Sequence, residues 1–326
     1  MRAEAQARGG LGNVAYSLGR YVEATAHYER YRVLSRAAGN RRGEARAIGN
    51  LGAIYFDHGR FAEAREKSGE LLRIAVEIGD RRAEAFAISN LGDIAHTTGD
   101  FGVARAHFER FLALNRLLGL PQEEATTRLS LGYVSLVEGK LEEAERHIAA
   151  CEERARADGS QRLLADAWLI RGNLRRALGR TDAARADYEQ AVTSHRAAQA
   201  ESRVAEALFS LGRLLAEDGD EAGGALFLGE ALKLTHRLGL SDPGPLPQAW
   251  LALLRLVEPA SVVVPATGPV VVQAEAHVVL VRAGGGEASR VAAAALLERM
   301  SRHLAGSEQD AFWRHTLSAR AWREWC

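Results

Sequence analysis

Small and apolar positions recur along this chain at a fixed interval. Leu11-Gly12 returns as Leu51-Gly52, Leu91-Gly92, Leu131-Gly132 and Leu211-Gly212, with Arg171-Gly172 in the remaining slot, so each step is 40 residues. A second glycine follows seven positions later every time, at Gly19, Gly59, Gly99, Gly139, Gly179 and Gly219. A third small residue stands five further on, at Ala24, Ala64, Ala104, Ala144, Ala184 and Gly224. Six repeats in register, with no residue inserted or deleted, mark an array of one supersecondary unit.

Each repeat predicts two helices. Leu51, Ile54 and Tyr55 fall at i, i+3 and i+4, on one helical face. Gly19, Gly59 and their equivalents end the first helix, because the residue past a helix end often needs a left-handed backbone. The second helix ends at Gly39, Gly79, Gly119, Gly159 and Gly239, with residues 198–200 taking that role once. Pro121 opens a helix, where proline is tolerated. Gly12 and its equivalents sit mid-helix, at a cost of roughly 1 kcal/mol against alanine. Close approach of the paired helix through Ala24 and its equivalents is the expected return. Tyr28, Phe108, Ile148, Tyr188 and Leu228 then share one core slot, and Val14, Ile54, Ile94, Val134, Leu174 and Leu214 another.

The run of Leu-Gly, an aromatic or aliphatic residue, Gly, Ala and an aromatic resembles the tetratricopeptide repeat family. Leu11-Gly12-Asn13 and Asn90-Leu91-Gly92 are similar to its 40-residue branch, found in polarity and spindle-orientation adaptors and in bacterial signalling proteins. The resemblance covers about residues 3–257. It implies an all-α fold, a right-handed superhelical solenoid of tandem helix-turn-helix repeats with a C-terminal helical cap. It also implies a protein that binds another protein or peptide, while the two distant cysteines point to the cytoplasm and the absence of catalytic motifs to a protein without catalysis or cofactor.

The period fails after a seventh first helix, in which Leu251 and Leu254 stand 40 residues after Leu211 and Leu214. Three parts are expected: repeats over 1–257, a linker over 258–270 cut by Pro259, Pro265 and Pro269, and a degenerate repeat and cap over 271–326. Helices are expected from about Val271 to Ala283 and from about Glu287 to Leu304, broken by Gly284-Gly285-Gly286, and a tail holds Phe312, Trp313, Trp322 and Trp325. No cap precedes the first repeat, so its first helix pair stands exposed or the natural product continues upstream.

Charge narrows the partner class. Forty-two basic residues balance 42 acidic ones, which argues against a general nucleic-acid binder. Two cysteines far apart, Cys151 and Cys326, argue against a disulfide framework. No apolar run is long enough to span a membrane, and no signal peptide is visible. The composition, rich in Ala, Arg and Gly, suits a high-GC bacterium.

Motifs that carry chemistry are missing. There is no phosphate loop, H-E-x-x-H, C-x-x-C or G-x-S-x-G. His27, His107 and His147 share one slot on second helices and read as solvated surface residues. Cys151 shares a slot with Tyr31, Leu71, Phe111, Ala191 and Ala231 and reads as a small core hydrophobe.

In the family the first helices line the concave face, so the resemblance assigns a partner-binding groove residue by residue. It comprises Asn13, Tyr16, Arg46, Phe56, Phe86, Asp93, His96, Leu129, Tyr133, Leu136, Asn173, Arg176 and Arg213. Leu129, Tyr133, Leu136 and Val137 would stand exposed in an empty groove, and such an apolar patch with a polar rim marks a partner site. Asn13 and Asn173 fall where the family's Leu-Gly-Asn motif bonds a peptide backbone. Three occupants remain open: a partner segment, the chain's own tail over residues 258–326, and a second copy. A further reading makes the chain a sensory or regulatory arm of a larger bacterial transcription or signalling regulator.

Overall fold

The computed structural model describes residues 2–239, 246–254, 257, 259–264, 269–284, 286–304, 309, 312 and 322. The described residues form α-helices and turns, with no strand among them. Twelve helices of the array come as antiparallel hairpins. They are α1 (Arg2–Ser17), α2 (Tyr21–Ala37), α3 (Arg41–Asp57), α4 (Phe61–Glu77), α5 (Arg81–Thr97), α6 (Phe101–Leu118), α7 (Pro121–Val137), α8 (Leu141–Ala157), α9 (Gln161–Ala177), α10 (Thr181–Ala197), α11 (Glu201–Glu217) and α12 (Glu221–Leu238). Then follow α13 (Leu246–Leu253), a single 3₁₀ turn at Pro259–Ser261, α14 (Val270–Arg282) and α15 (Gly286–Ser301). Trp313, Trp325, Cys326, Pro265 and Gly285 lie outside the described residues.

The predicted stop signals are where the helices end. Gly19, Gly59, Gly99, Gly139, Gly179 and Gly219 all carry positive φ, as do Gly39, Gly79, Gly119, Gly159 and Gly239. In the first turn the Gly19 N–H donates to the Tyr16 carbonyl and the Arg20 N–H to the Ala15 carbonyl, which satisfies carbonyls the helix leaves open. The slot without glycine is filled by Gln199, with φ at 53°.

Three of the mid-helix glycines have a different partner from the expected one. A Cβ on Gly12 would lie 2.5 Å from the Tyr28 ring, on Gly92 2.7 Å from Phe108, and on Gly172 2.5 Å from Tyr188. In these three repeats the close approach is a ring laid on the glycine, whereas at Gly212 the paired helix itself comes close, as expected, its backbone at Leu228 lying 2.9 Å from such a Cβ. The small residues at Ala64, Ala144 and Gly224 supply only a backbone carbonyl nearby. Where the ring slot holds Ser68, Gly52 has room, its nearest side-chain atom being the Lys67 Cβ at 3.4 Å.

The chain packs as two compact units, residues 1–95 with 103–120, and residues 96–102 with 121–326. In the first, Leu51 and Ile54 of α3 pack with Ala24 and Tyr28 of α2, and Ala47 packs with Tyr31 and Leu34. Leu11 and Val14, expected in the core, are exposed. In the second unit the core runs from α9 through α14, joining Leu169, Tyr188, Phe209, Leu211, Trp250, Val272, Ala276 and Val279. Arg171, the exception in the Leu-Gly series, places its guanidinium between Asp187 at 2.7 Å and Glu152 at 2.5 Å. An ion cluster there replaces an apolar contact.

Candidate partner-binding faces

In the first unit the candidate residues lie on α1, α3 and α5. Tyr16 donates its hydroxyl to Asp57 at 2.5 Å, joining α1 to α3. That bond, aided by burial, pushes the Tyr16 phenol well above its ordinary pKa. Asn13 accepts from the Tyr28 hydroxyl at 2.9 Å and from the Asn50 amide at 3.3 Å. Arg46 is exposed and Phe56 half-buried, its ring edge-on to Phe61 at 5.6 Å. Phe86 is exposed, and Gly49 leaves room for its ring, since a Cβ there would lie 3.2 Å from it. Asp93 keeps a solvent-exposed edge, yet the protein around it removes enough water to raise its carboxyl to about 6. This unit therefore presents aromatic edges with polar groups between them.

The second unit differs. Leu136 and Val137, expected to stand exposed, are buried, and Leu136 joins Leu141, Ala144, Ile148 and Leu174 in a core cluster that Leu129 borders. Its side chain fills the space between successive hairpins. His96 sits edge-on to Tyr133 at 5.0 Å and to Phe101 at 5.8 Å, and burial lowers its pKa to about 4. Asn173 accepts from the Tyr188 hydroxyl at 2.8 Å and from Arg213 at 3.4 Å. Arg176 is bonded to Glu217. These bonds repeat those of the first unit one for one, four repeats on: Tyr28 to Asn13 becomes Tyr188 to Asn173, and Tyr16 to Asp57 becomes Arg176 to Glu217. Both asparagines thus use their carbonyl oxygens to brace a hairpin.

Arg213 is not open to a partner. It is buried, and its Nη1 donates to both carboxylate oxygens of Glu275 on α14, at 2.6 and 2.8 Å. Trp250 Nε1 on α13 donates to the same carboxylate at 3.4 Å. Burial alone would raise the Glu275 pKa, but the Arg213 charge outweighs it and holds the carboxyl below its ordinary range. Further contacts tie the same C-terminal segment to earlier repeats. Val270 packs on Gly99, His303 packs on Gly102 and bonds Glu138 at 2.9 Å, and Arg299 lies 3.6 Å from Asp100. Within this unit, then, α14 and α15 cover residues of the repeat array. The 62-residue separation hid the Arg213–Glu275 pair from pattern reading, although a lone acid amid the apolar residues of α14 was a visible signal.

Cys151 is fully buried in the core, and burial raises its thiol to about 12. His27 and His147, expected to be solvated, are largely covered and lie near Glu23 and Glu143 one turn earlier. Among the described residues no group of three or more His, Cys, Asp or Glu could hold a metal ion. Among them, too, no helix is long and apolar enough to cross a membrane.

Comparison with solved structures finds the same fold at low identity. The apo form of RapI shares 13% identity at a TM-score of 0.63, over 73% of this chain and 85% of that one. The Rap conjugation gene regulator of plasmid pLS20, in complex with the Phr* peptide, shares 12% at a TM-score of 0.63, over 87% and 78%. The STAND protein PH0952 from Pyrococcus horikoshii, with a tetratricopeptide repeat sensor, shares 13% at 0.61, over 92% of this chain and 42% of that one. No curated protein matches the sequence. Two models of the tetratricopeptide repeat match, one over residues 3–75 and 43–116, the other over 90–160 and 169–235. With helical hairpins in 40-residue register throughout the matched residues, the chain belongs to the tetratricopeptide repeat family.

Proposed function

We propose that this chain is a non-enzymatic protein-interaction module that holds a peptide or helical segment of a partner against its first helices. The observation that carries this reading is the seat of α14, a helix whose acid meets a buried Arg213 on a first helix. A repeat face that accepts one helix by apolar contact and a charge pair has the chemistry to accept another. In the first unit Asn13, Tyr16, Arg46, Phe56 and Phe86 offer aromatic edges and polar groups to such a segment, and aromatics and arginine are the residue types that anchor interfaces. The pLS20 regulator being a peptide complex adds support by fold analogy.

The experiment is selection from a displayed peptide library against the full chain, followed by binding to Phe56→Ala/Phe86→Ala. Selected peptides should bind the double variant at least about tenfold more weakly, the loss of one or two modest anchors. Peptides that bind both proteins equally, or no selection at all, would defeat the proposal.

The seat of α14 also favours a second reading, a sensory arm whose own C-terminal helix occupies part of the face until an incoming acidic segment displaces it. In that case Glu275→Gln, which weakens the built-in occupant, tightens the binding of selected acidic peptides. Unchanged affinity in the variant argues for the simpler module.

A further inference from the structure

Two arginines on neighbouring first helices depart from the repeat. The slot of Arg176 holds Tyr16, Phe56, His96, Leu136 and Ala216 elsewhere, and the slot of Arg213 holds Asn13, Ala53, Asp93, Tyr133 and Asn173. The hairpin itself therefore needs no cation at either place. Both side chains are nonetheless buried, 7% and 5% exposed. Both charges act on Glu275, so they share one site. Each guanidinium uses little of its capacity. Arg176 bonds Glu217 through Nη1, and Arg213 bonds Glu275 through Nη1. Arg176 Nε, Arg176 Nη2 and Arg213 Nε are buried and have no hydrogen-bond partner among the described residues. Arg213 Nη2 makes a 3.4 Å contact with Asn173. The Nε–Nη2 edge can grip an oxyanion with two parallel bonds. That edge is unoccupied on Arg176 and half-used on Arg213.

Buried donors left bare are costly, most of all on a charged group. The seat already holds a carboxylate, that of Glu275, and three nitrogens stay unpaired with it in place. Another carboxylate in the same position meets the same limit. The nitrogens that Glu275 uses and those it leaves bare carry about six N–H groups, against about four lone-pair sites on a carboxylate. A phosphoryl group brings three strong acceptor oxygens and about 1.5 to 2 negative charges. Those charges match the two guanidinium groups once Glu275 leaves with α14. Glu217, 32% exposed, stands at the rim and can turn toward solvent.

We infer that Arg176 and Arg213 form a phosphoryl-binding site, in which Glu275 stands in for the oxyanion of the ligand. This rests on the reading in which α14 leaves the face for an incoming group, and it names the chemistry of that group. The phosphoryl group is carried by a segment or arrives as free phosphate. Asn173, braced by the Tyr188 hydroxyl, orients Arg213 Nη2 toward the site. Glu275 is the weaker occupant, because it engages a single nitrogen of Arg213. A ligand that takes the open edges of both arginines displaces it.

The test follows the Nε–H signals of Arg176 and Arg213 by proton–nitrogen NMR of the full chain, while inorganic phosphate or acetate is added at constant ionic strength. Phosphate should shift both signals saturably and bind at least about tenfold more tightly than acetate, the worth of one added charge-assisted bond. Arg176→Lys keeps the charge and loses the two-bond edge, so it should weaken phosphate about tenfold and leave acetate unchanged. Glu275→Gln removes the charge of the stand-in and should tighten phosphate. A degenerate peptide library centred on phosphoserine, set against the same library centred on glutamate, separates the sources. Preferential capture of phosphoserine peptides assigns a segment, and phosphate binding without that preference assigns the free ion. Unshifted Nε–H signals, equal affinity for phosphate and acetate, or phosphate binding untouched by Arg176→Lys would each overturn the inference. Acidic peptides that bind Glu275→Gln more tightly, with no response to phosphate, would remove this site and leave the displacement of α14 standing.

Discussion

Glu275→Ala tests whether one ion pair anchors the C-terminal helix. The carboxylate takes two bonds from Arg213 at 2.6 and 2.8 Å and one from Trp250 at 3.4 Å. Removing it leaves a guanidinium buried without that counter-charge, and losing one partner of a buried pair costs about 3–5 kcal/mol. That cost falls on the seat of α14, so the helix should open locally before the repeats unfold. Three to five kcal/mol corresponds to amide exchange faster by about two to three orders of magnitude or more over α14. Hydrogen exchange of residues 270–282 reads this directly, with the cluster of Leu136, Ile148 and Leu174 as an internal reference that should not change. Arg213→Met/Glu275→Met removes both charges while keeping volume. It should recover most of the protection, because the desolvation cost of the pair disappears with it. The pH dependence has a definite sign. The folded Glu275 pKa is depressed, so its stabilisation is complete above the unfolded carboxylate value of about 4.3 and is lost as pH falls through the folded value. Unchanged exchange in Glu275→Ala, or a uniform increase across the reference cluster as well, would show that the pair does not hold this helix.

Other outcomes follow from single side chains. His96 has a pKa near 4 against an unfolded value of about 6.5, so the unfolded chain binds the extra proton between those values and stability falls as pH drops through that window, by up to about 3 kcal/mol. The difference in urea stability between wild type and His96→Gln should therefore shift toward the variant between pH 7 and pH 4.5, and a difference independent of pH would contradict the buried neutral imidazole. Gly172→Ala puts a methyl 2.5 Å from the Tyr188 ring and should destabilise by about 1–3 kcal/mol, whereas Gly52→Ala meets nothing closer than 3.4 Å and should be neutral or up to about 1 kcal/mol stabilising. Denaturation of the two variants compares them, and equal effects would remove the ring-on-glycine explanation. Gln199 holds a left-handed φ of 53° in a slot that is elsewhere glycine, so Gln199→Gly should raise stability by about 0.5–1 kcal/mol in the same assay, with any loss counting against strain at that turn.

What could be read from the residues alone was whatever the chain decides locally. A positive-φ residue past a helix end must be glycine or strained, so the terminators at Gly19, Gly59 and their equivalents were visible as letters. The 40-residue interval works in the same way, because each hairpin meets its neighbour through the same slots. The failures have one physical origin. Exposure depends on what packs from outside the repeat, and the residues in question cannot report it. Val14 has the same letter class as Ile54, yet one is 57% exposed and the other 3%, Ile54 being covered by Ala24 and Tyr28 of α2. Leu136 was expected to face solvent and is buried, since the next hairpin reaches it. Arg213 looked like a groove cation and is neutralised from α14. Here the letters did hold a constraint that pattern matching passes over. An acid at position 275 between apolar neighbours cannot be buried alone, so the helix needed a cation somewhere in the array. Arg213, on a first helix whose other buried residues are almost all apolar, needed an acid for the same reason. Pairing the two orphans by their cost, rather than by their distance along the chain, would have predicted where the C-terminal helix lies.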